Sequence, residues 1–117
     1  MTIAEQFETI SSGIDYIPHK AFKGVYLKHL VTGMMTGGQI SSHLVKVDPY
    51  CTLDTHTHQG QYEIHEVLQG TGECRIADKE IPYVPGTVMV IPQNAPHSVT
   101  AGAGGLYILA KFLPALL

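Results

Sequence analysis

The sequence predicts a single domain of the all-β class, in which short strands form a sandwich or a barrel. Twelve glycines and seven prolines are spread through the 117 residues and divide the chain into pieces too short for long helices. The pieces between them are rich in β-branched and aromatic residues, which favour strands. The length suits one domain with one core, and a content of 44% hydrophobic residues agrees with a compact globule.

Nine such runs are predicted as strands, with turn residues between them. The one candidate for a helical turn lies ahead of them, over residues 3–7. We therefore divide the chain into an N-terminal segment, residues 1–23, and a barrel domain, residues 24–117. The predicted strands cover residues 24–32, 40–47, 52–58, 62–69, 72–77, 81–84, 87–91, 97–101 and 106–112.

The predicted strand that starts at residue 62 carries an unusual face. Side chains alternate between the two faces of a strand, so Glu63, His65 and Val67 point one way while Ile64 and Leu68 point the other. Burying an unpaired carboxylate or imidazole is costly. Glu63 and His65 therefore need partners from elsewhere in the chain.

Two of the predicted turns have direct structural consequences. Residues 78–80 are all charged and are predicted as the solvated tip of a hairpin. Residues 92–96 contain two prolines, which hold the chain semi-rigid immediately before His97.

Charge and hydropathy argue against two classes of partner. A net charge of −3 provides no basic surface for phosphate backbones, so we expect no nucleic-acid partner. No stretch approaches about 18 uninterrupted apolar residues and no leader is recognisable, so we expect no membrane partner and a cytoplasmic location. Cys51 and Cys74 are too few for a disulfide scaffold and fit small buried residues or free thiols.

Seven histidines, as many as lysine and arginine together, are the feature that needs an explanation. His56 and His58 lie two residues apart on a predicted strand, so both imidazoles can face the same side. A hairpin after His58 is expected to bring Glu63 beside them, and the rigid turn before His97 offers a third imidazole. Imidazoles with one carboxylate suit Mn, Fe, Co, Ni, Cu or Zn, whereas a structural zinc site more typically uses cysteines.

These residues resemble the two motifs of the cupin superfamily, which read G-x5-H-x-H-x3–4-E-x6-G and G-x5-P-x-G-x2-H-x3-N. The spacing inside the first motif is most similar to that of germin-type members, and the two motifs cover residues 50–101. The matching residues are His56, His58, Glu63 and Gly70 in the first motif, and Gly86, Pro92 and His97 in the second.

Three motif positions differ, and none of them is a ligand position. Tyr50 stands in place of the first glycine of the first motif. In the second motif, Asn94 replaces the inner glycine and Ala101 replaces the asparagine. The change at Asn94 is mild because asparagine tolerates the left-handed backbone conformation.

The resemblance implies a fold, a ligand set and a cofactor. The fold is a single-domain cupin (jelly-roll) β-barrel of the small cupin 2 type. The cofactor is a divalent transition metal, and Fe, Mn, Ni, Zn, Co and Cu all remain open. The implied metal ligands are His56, His58, Glu63 and His97.

The sequence leaves more than one role open for each of the remaining histidines. We predict His65 as a catalytic acid or base, with an extra metal ligand, a hydrogen-bond donor that orients Glu63, and a satisfied buried histidine as alternatives. His43 either lines the same cavity or faces solvent. His19 and His29 are expected to be structural or exposed.

The predicted function is that of a metal-binding cupin acting on a small organic molecule, with a metal-dependent dioxygenase as the leading activity. The alternatives are a metal-assisted isomerase or lyase and a small-molecule sensor or binding module without turnover, since one fold hosts many activities. The apolar run over residues 106–117 needs cover, and small cupins often pair through their sheets. We therefore expect a homodimer.

Overall fold

The structure, a computed structural model, describes residues 10–117. The predicted helical turn over residues 3–7 lies outside this range. The described chain is almost entirely β, with a 3-10 turn at Ser11–Gly13 and one helical turn, α1, at Gly33–Thr36. The strands are β1 (Ile17–Pro18), β2 (Val25–Val31), β3 (Ser41–Val47), β4 (Thr52–His56), β5 (Tyr62–Ile76), β6 (Lys79–Tyr83), β7 (Val88–Ile91) and β8 (His97–Leu113).

The strands form one antiparallel sheet that closes around a core, which confirms the predicted jelly-roll architecture. Its order is β1-β2-β3-β8-β5-β6, with β4 added to β8 and β7 added to β5. The second half of β8 pairs with β3 and its first residues pair with β4. Similarly, β7 pairs with the first half of β5 and β6 with the second half. The two halves of β5 and β8 therefore belong to opposite walls of the barrel.

Strands β5 and β8 each replace two predicted strands. The predicted breaks near residues 70 and 102–105 are bends, and backbone pairing between β5 and β8 continues across them through two register shifts. Gly70 has φ +83°, and a Cβ there would overlap the carbonyl oxygen of Gly105. Glycine is needed at Gly70 because two bent strands approach each other at that point.

The core consists of the inward side chains of the alternating strands. Every second residue of β3 is buried, and the same period holds on each side of the bend in β8. The apolar run over residues 106–117 is therefore mostly a central strand, and the core of the chain covers its inward side chains. The buried apolar residues are Val25, Val45, Val47, Val67, Cys74, Ile76, Tyr83, Ile91, Val99, Ala101, Leu106, Ile108, Ala110 and Phe112.

Two of the positions that depart from the cupin motifs have a left-handed backbone. Tyr50 has φ 60° and Asn94 has φ 64°. Each stands where the motif has a glycine, the residue that adopts this conformation at no steric cost. The prediction that Asn94 substitutes mildly for glycine agrees with this geometry, whereas Tyr50 places a bulky residue in a strained conformation.

The β5–β6 hairpin differs from its prediction by a small shift. Its turn is formed by Ala77 and Asp78, both with positive φ, and β6 begins at Lys79. The side chains near the tip are exposed as predicted, and Arg75 lies 2.8 Å from Glu80.

Two short elements were not predicted from sequence. Strand β1 lies within the predicted N-terminal segment and places Ile17 opposite Leu27 of β2, while α1 follows β2. None of the helices within residues 10–117 has the length and apolar character needed to cross a membrane.

Candidate metal centre

Four predicted ligand residues converge in space although they are spread over 42 positions of the chain. One ligand atom from each lies within 4.8 Å of the others, so the cluster could hold a metal ion. Its members come from the end of β4, the loop after it, β5 and the start of β8. They are His56, His58, Glu63 and His97.

The convergence does not arise from the predicted hairpin between His58 and Glu63. In the described chain β4 pairs with β8, and the register places His56 opposite His97. Glu63 joins them from β5, where it lies opposite Ile91 of β7. The connection between β4 and β5 thus crosses from one wall of the barrel to the other, and the site lies between the walls.

The centre of the cluster is a close approach between a carboxylate and an imidazole. Oε1 of Glu63 lies 3.1 Å from Nε2 of His97 and 3.7 Å from Nε2 of His58. The short contact lacks the alignment of a hydrogen bond. Within residues 10–117, both Oε1 of Glu63 and Nε2 of His97 are buried without a hydrogen-bond partner.

Backbone carbonyls orient two of the imidazoles. Nδ1 of His56 donates to the carbonyl oxygen of Asp54 at 2.6 Å, and Nδ1 of His97 donates to that of Ala95 at 3.0 Å. Each bond fixes the proton on Nδ1 and leaves the Nε2 lone pair free to bind a metal.

The loop that carries His58 is tied to the turn before β8. The backbone N–H of Gly60 donates to Oδ1 of Asn94 at 3.0 Å, and the N–H of Asn94 donates to the carbonyl of His58 at 3.3 Å. The ring of His58 also packs edge-on against Phe112, with the ring centres 4.8 Å apart. Asn94 therefore supports the site in addition to adopting the conformation of a glycine.

His65 lies on the same buried face as Glu63, as the strand period predicts. Its Nε2 is 2.7 Å from Oε2 of Glu63, and its Nδ1 is 2.8 Å from the hydroxyl of Tyr83. All three side chains are buried. The sequence does not mark Tyr83 as part of the site, since nothing in the motifs points to a residue 18 positions beyond His65.

The electrostatic state of the site is set by burial and by this carboxylate. Burial raises the pKa of Glu63, but attraction to His65 and hydrogen bonding with it, together with the contact to His97, outweigh burial and lower that pKa. Burial lowers the pKa of both His56 and His58. Burial also opposes the charged form of His97, yet Glu63 and the Ala95 carbonyl raise its pKa overall.

A small cavity of about 70 Å³ adjoins the cluster. His43 is on its wall and only 1% exposed, so the solvent-facing alternative for this residue is wrong. Its Nδ1 lies 2.8 Å from Nδ1 of His29, and its Nε2 lies 2.8 Å from Oγ of Ser41. His19, expected to be structural or exposed, also lines the cavity.

A larger groove of about 420 Å³ runs along the β5–β6 hairpin and reaches His97. Its walls carry Arg75 and Glu80, which pair with each other, and it is open to solvent. The smaller cavity is lined by His56, His58 and Glu63, whereas His97 is the one clustered residue on the wall of the larger groove, so we take the smaller cavity as the candidate ligand site.

Residues 43–107, more than half of the chain, match a family model described as a cupin domain. The chain belongs to the cupin family. The matched region contains all four clustered residues. Cupins commonly bind divalent metals, and this cupin has a cluster that could hold one. A comparison with curated proteins finds no match.

Solved structures with the same fold come from several organisms. A predicted oxalate decarboxylase from Thermotoga maritima is 24% identical with a TM-score of 0.83, over 92% of this chain and 99% of that chain. KdgF from Halomonas sp. is 20% identical with a TM-score of 0.81, over 93% and 94%. The polyketide cyclase RemF from Streptomyces resistomycificus is 18% identical with a TM-score of 0.78, over 93% and 79%. At these identities the likeness shows the fold.

Proposed function

We propose that the chain is a metal-dependent cupin enzyme acting on a small organic molecule, with His56, His58, Glu63 and His97 as the metal ligands. The observation that carries this proposal is the pair of buried atoms, Oε1 of Glu63 and Nε2 of His97, that face each other without hydrogen-bond partners. Buried polar atoms are rarely left unsatisfied. A divalent cation would satisfy both, and three imidazoles with a carboxylate suit first-row transition metals.

A bound transition metal supplies a Lewis acid and, where it is redox-active, a path for electrons to dioxygen. The chain itself holds and orients the donors. The carbonyls of Asp54 and Ala95 fix the rings of His56 and His97, and burial keeps the rings of His56 and His58 neutral, as metal binding requires.

His65 is better suited to orienting Glu63 than to the predicted role of catalytic acid or base. Both ring nitrogens are occupied, one by Glu63 and the other by the hydroxyl of Tyr83. With Tyr83 donating to Nδ1, the Nε2–H of His65 donates to Oε2 of Glu63 and leaves Oε1 for the metal. His65 is also absent from the wall of the cavity.

Among the candidate reactions, that of a dioxygenase has the best support. An isomerase or lyase needs a general base within reach of the substrate. In the described cavity the carboxylate and two imidazoles belong to the metal cluster, and both nitrogens of His43 are engaged. The remaining imidazole, that of His19, already uses its Nδ1 to accept from two backbone N–H groups. A dioxygenase places both atoms of dioxygen in the substrate, which supplies the electrons, so the reaction depends mainly on the metal.

The relatives do not decide the reaction. One is named a predicted oxalate decarboxylase and another a polyketide cyclase, although both share this fold. Activity in such a case follows the site rather than the fold.

An oxygen electrode tests the proposed reaction. The metal-loaded protein should consume oxygen only when a small enol or thiol substrate is added, and His97→Ala should abolish the uptake. Tyr62→Phe, which changes an exposed side chain, serves as the matched control and should keep the activity. Product formation without oxygen would instead support an isomerase or lyase, and thermal stabilisation by ligands without turnover would support a sensor.

Homodimeric assembly and cytoplasmic location stay predictions. For the dimer, the outward face of β5 and β7 supplies the support, because Leu68, Val88 and Val90 are at least half exposed there. A second copy packed on this face would cover them. Gel filtration measures the assembly, and Val88→Lys should then shift a dimer to a monomer.

A further inference from the structure

The cavity beside the metal cluster is apolar apart from its histidines and Glu63. Side chains of Leu27, Val45, Leu53, Phe112 and Leu116 form most of its wall. A ligand that reaches the cluster through this cavity therefore places its remaining atoms against hydrocarbon.

The cavity also lacks a basic side chain. All seven lysines and arginines of the sequence lie within the described residues, and none of them lines this cavity. Three of them are engaged elsewhere. Lys28 donates to the carbonyl of Ser11, and Arg75 and Lys111 each pair with an acidic side chain. The basic residues are Lys20, Lys23, Lys28, Lys46, Arg75, Lys79 and Lys111.

His19 is the only described side chain on the wall, outside the metal cluster, with an available polar hydrogen. Its Nδ1 accepts hydrogen bonds from the backbone N–H groups of Ala21 at 3.0 Å and Phe22 at 3.3 Å. The proton of the neutral ring is therefore on Nε2, which has no partner within residues 10–117. Stacking on Phe22, with ring centres 4.6 Å apart, holds the ring in place.

Charge balance limits what such a cavity can accept. A divalent cation and the Glu63 carboxylate together leave one positive charge when the imidazoles are neutral. A monoanionic ligand neutralises that charge. A dianion leaves a net negative charge among apolar side chains, where no described cation can compensate it.

From these observations we infer that the site is selective for a small monoanionic oxygen chelator with a short apolar tail, such as a 2-oxo acid, and that His19 is a specificity-determining residue. Two oxygens of the ligand would bind a metal held by the cluster, and the remaining carboxylate oxygen would accept a hydrogen bond from Nε2–H of His19. The cavity volume of about 70 Å³ limits the tail to a few carbons. The inference rests on the proposed metal centre.

Two probes with the same chelating group test the selectivity. 2-Oxopentanoate and 2-oxoglutarate have five-carbon chains and differ at the far end, which is a methyl group in one and a carboxylate in the other. Binding is followed by the visible spectrum of the cobalt-loaded protein after its cobalt content has been measured. We expect 2-oxopentanoate to bind at least about tenfold more tightly, because the second carboxylate would be buried unpaired.

Variants at two positions separate charge from shape. Leu27→Lys should reverse the preference toward 2-oxoglutarate, while Leu27→Met, the matched control, should leave it unchanged. His19→Phe should weaken the binding of 2-oxopentanoate about tenfold without changing the cobalt content of the protein.

The possible failures are distinguishable. A wild-type protein that does not bind cobalt contradicts the proposed metal centre. A cobalt-loaded protein that binds 2-oxoglutarate as tightly as 2-oxopentanoate, or binds neither, overturns the inferred selectivity while the metal centre stands. The comparison of the two probes on the wild-type protein decides this even if a variant fails to fold.

Discussion

Nε2 of His97 lies 3.1 Å from Oε1 of Glu63, and neither of these buried atoms has a hydrogen-bond partner within residues 10–117. The other oxygen of the same carboxylate is bonded to His65 at 2.7 Å. The carboxylate is thus held on one side and open on the other. This asymmetry makes Glu63 the natural centre of a metal site and motivates the first prediction.

Tyr83→Phe should weaken metal binding by about tenfold to a hundredfold, because the loss of its hydroxyl frees His65 to rotate and Glu63 with it. Isothermal titration of the metal-free protein measures this. The ¹⁵N shifts of His65 should also change, since its tautomer is no longer fixed. Tyr107→Phe, on the outward face of β8, is the matched control. If the metal affinity and the ¹⁵N shifts of His65 were unchanged in Tyr83→Phe, the proposed role of Tyr83 in orienting His65 and Glu63 would be contradicted.

His43 should make the protein less stable as the pH falls below neutrality. Burial, with the nearby His29, lowers the pKa of His43 from 6.5 to about 4, although Glu63 acts weakly in the opposite direction. Unfolding returns the pKa to its ordinary value, so the unfolded chain binds the extra proton. The resulting loss, at most about 3 kcal/mol of the free energy of unfolding, develops as the pH falls from 6.5 to about 4.

Urea unfolding of the wild type and of His43→Gln across this pH range isolates the effect of His43. Other groups of the site titrate in both proteins, so the difference between their pH profiles reports the imidazole. If the free energies of unfolding of the two proteins changed in parallel between pH 6.5 and 4, His43 would not resist protonation in the folded state.

Gly70→Ala should lower the free energy of unfolding by more than about 2 kcal/mol, because the residue has φ +83° and its Cβ would overlap the carbonyl of Gly105. Gly104→Ala is the matched control, since a Cβ there meets nothing within 4 Å. Chemical denaturation measures both. Equal stability of the two variants would mean that the bend of β5 and β8 does not require glycine.

The fold and the cluster were largely predictable because they depend on patterns of short range. The period of two placed Glu63 and His65 on one buried face, and motif spacing selected His56, His58 and His97. Both outcomes agree with the geometry. A glycine, by contrast, is compatible both with the end of a strand and with a bend inside a strand. For this reason β5 and β8 were each predicted as two strands.

Contacts between distant segments could not be predicted in this way. The hydroxyl of Tyr83 reaches His65, and the side chain of Asn94 reaches Gly60, only because separate strands are packed against each other. The same holds for His19, whose position on the cavity wall depends on a loop outside both motifs. Such contacts follow from the three-dimensional register, which the local sequence does not specify.

Elemental analysis of the protein purified without chelator or added metal tests the central claim most directly. We predict that the wild type retains a single transition-metal ion per chain, and that His56→Ala and His97→Ala lose it while His19→Ala keeps it. A wild-type protein without metal, or full retention of metal in the His56 and His97 variants, would contradict the assignment of the site.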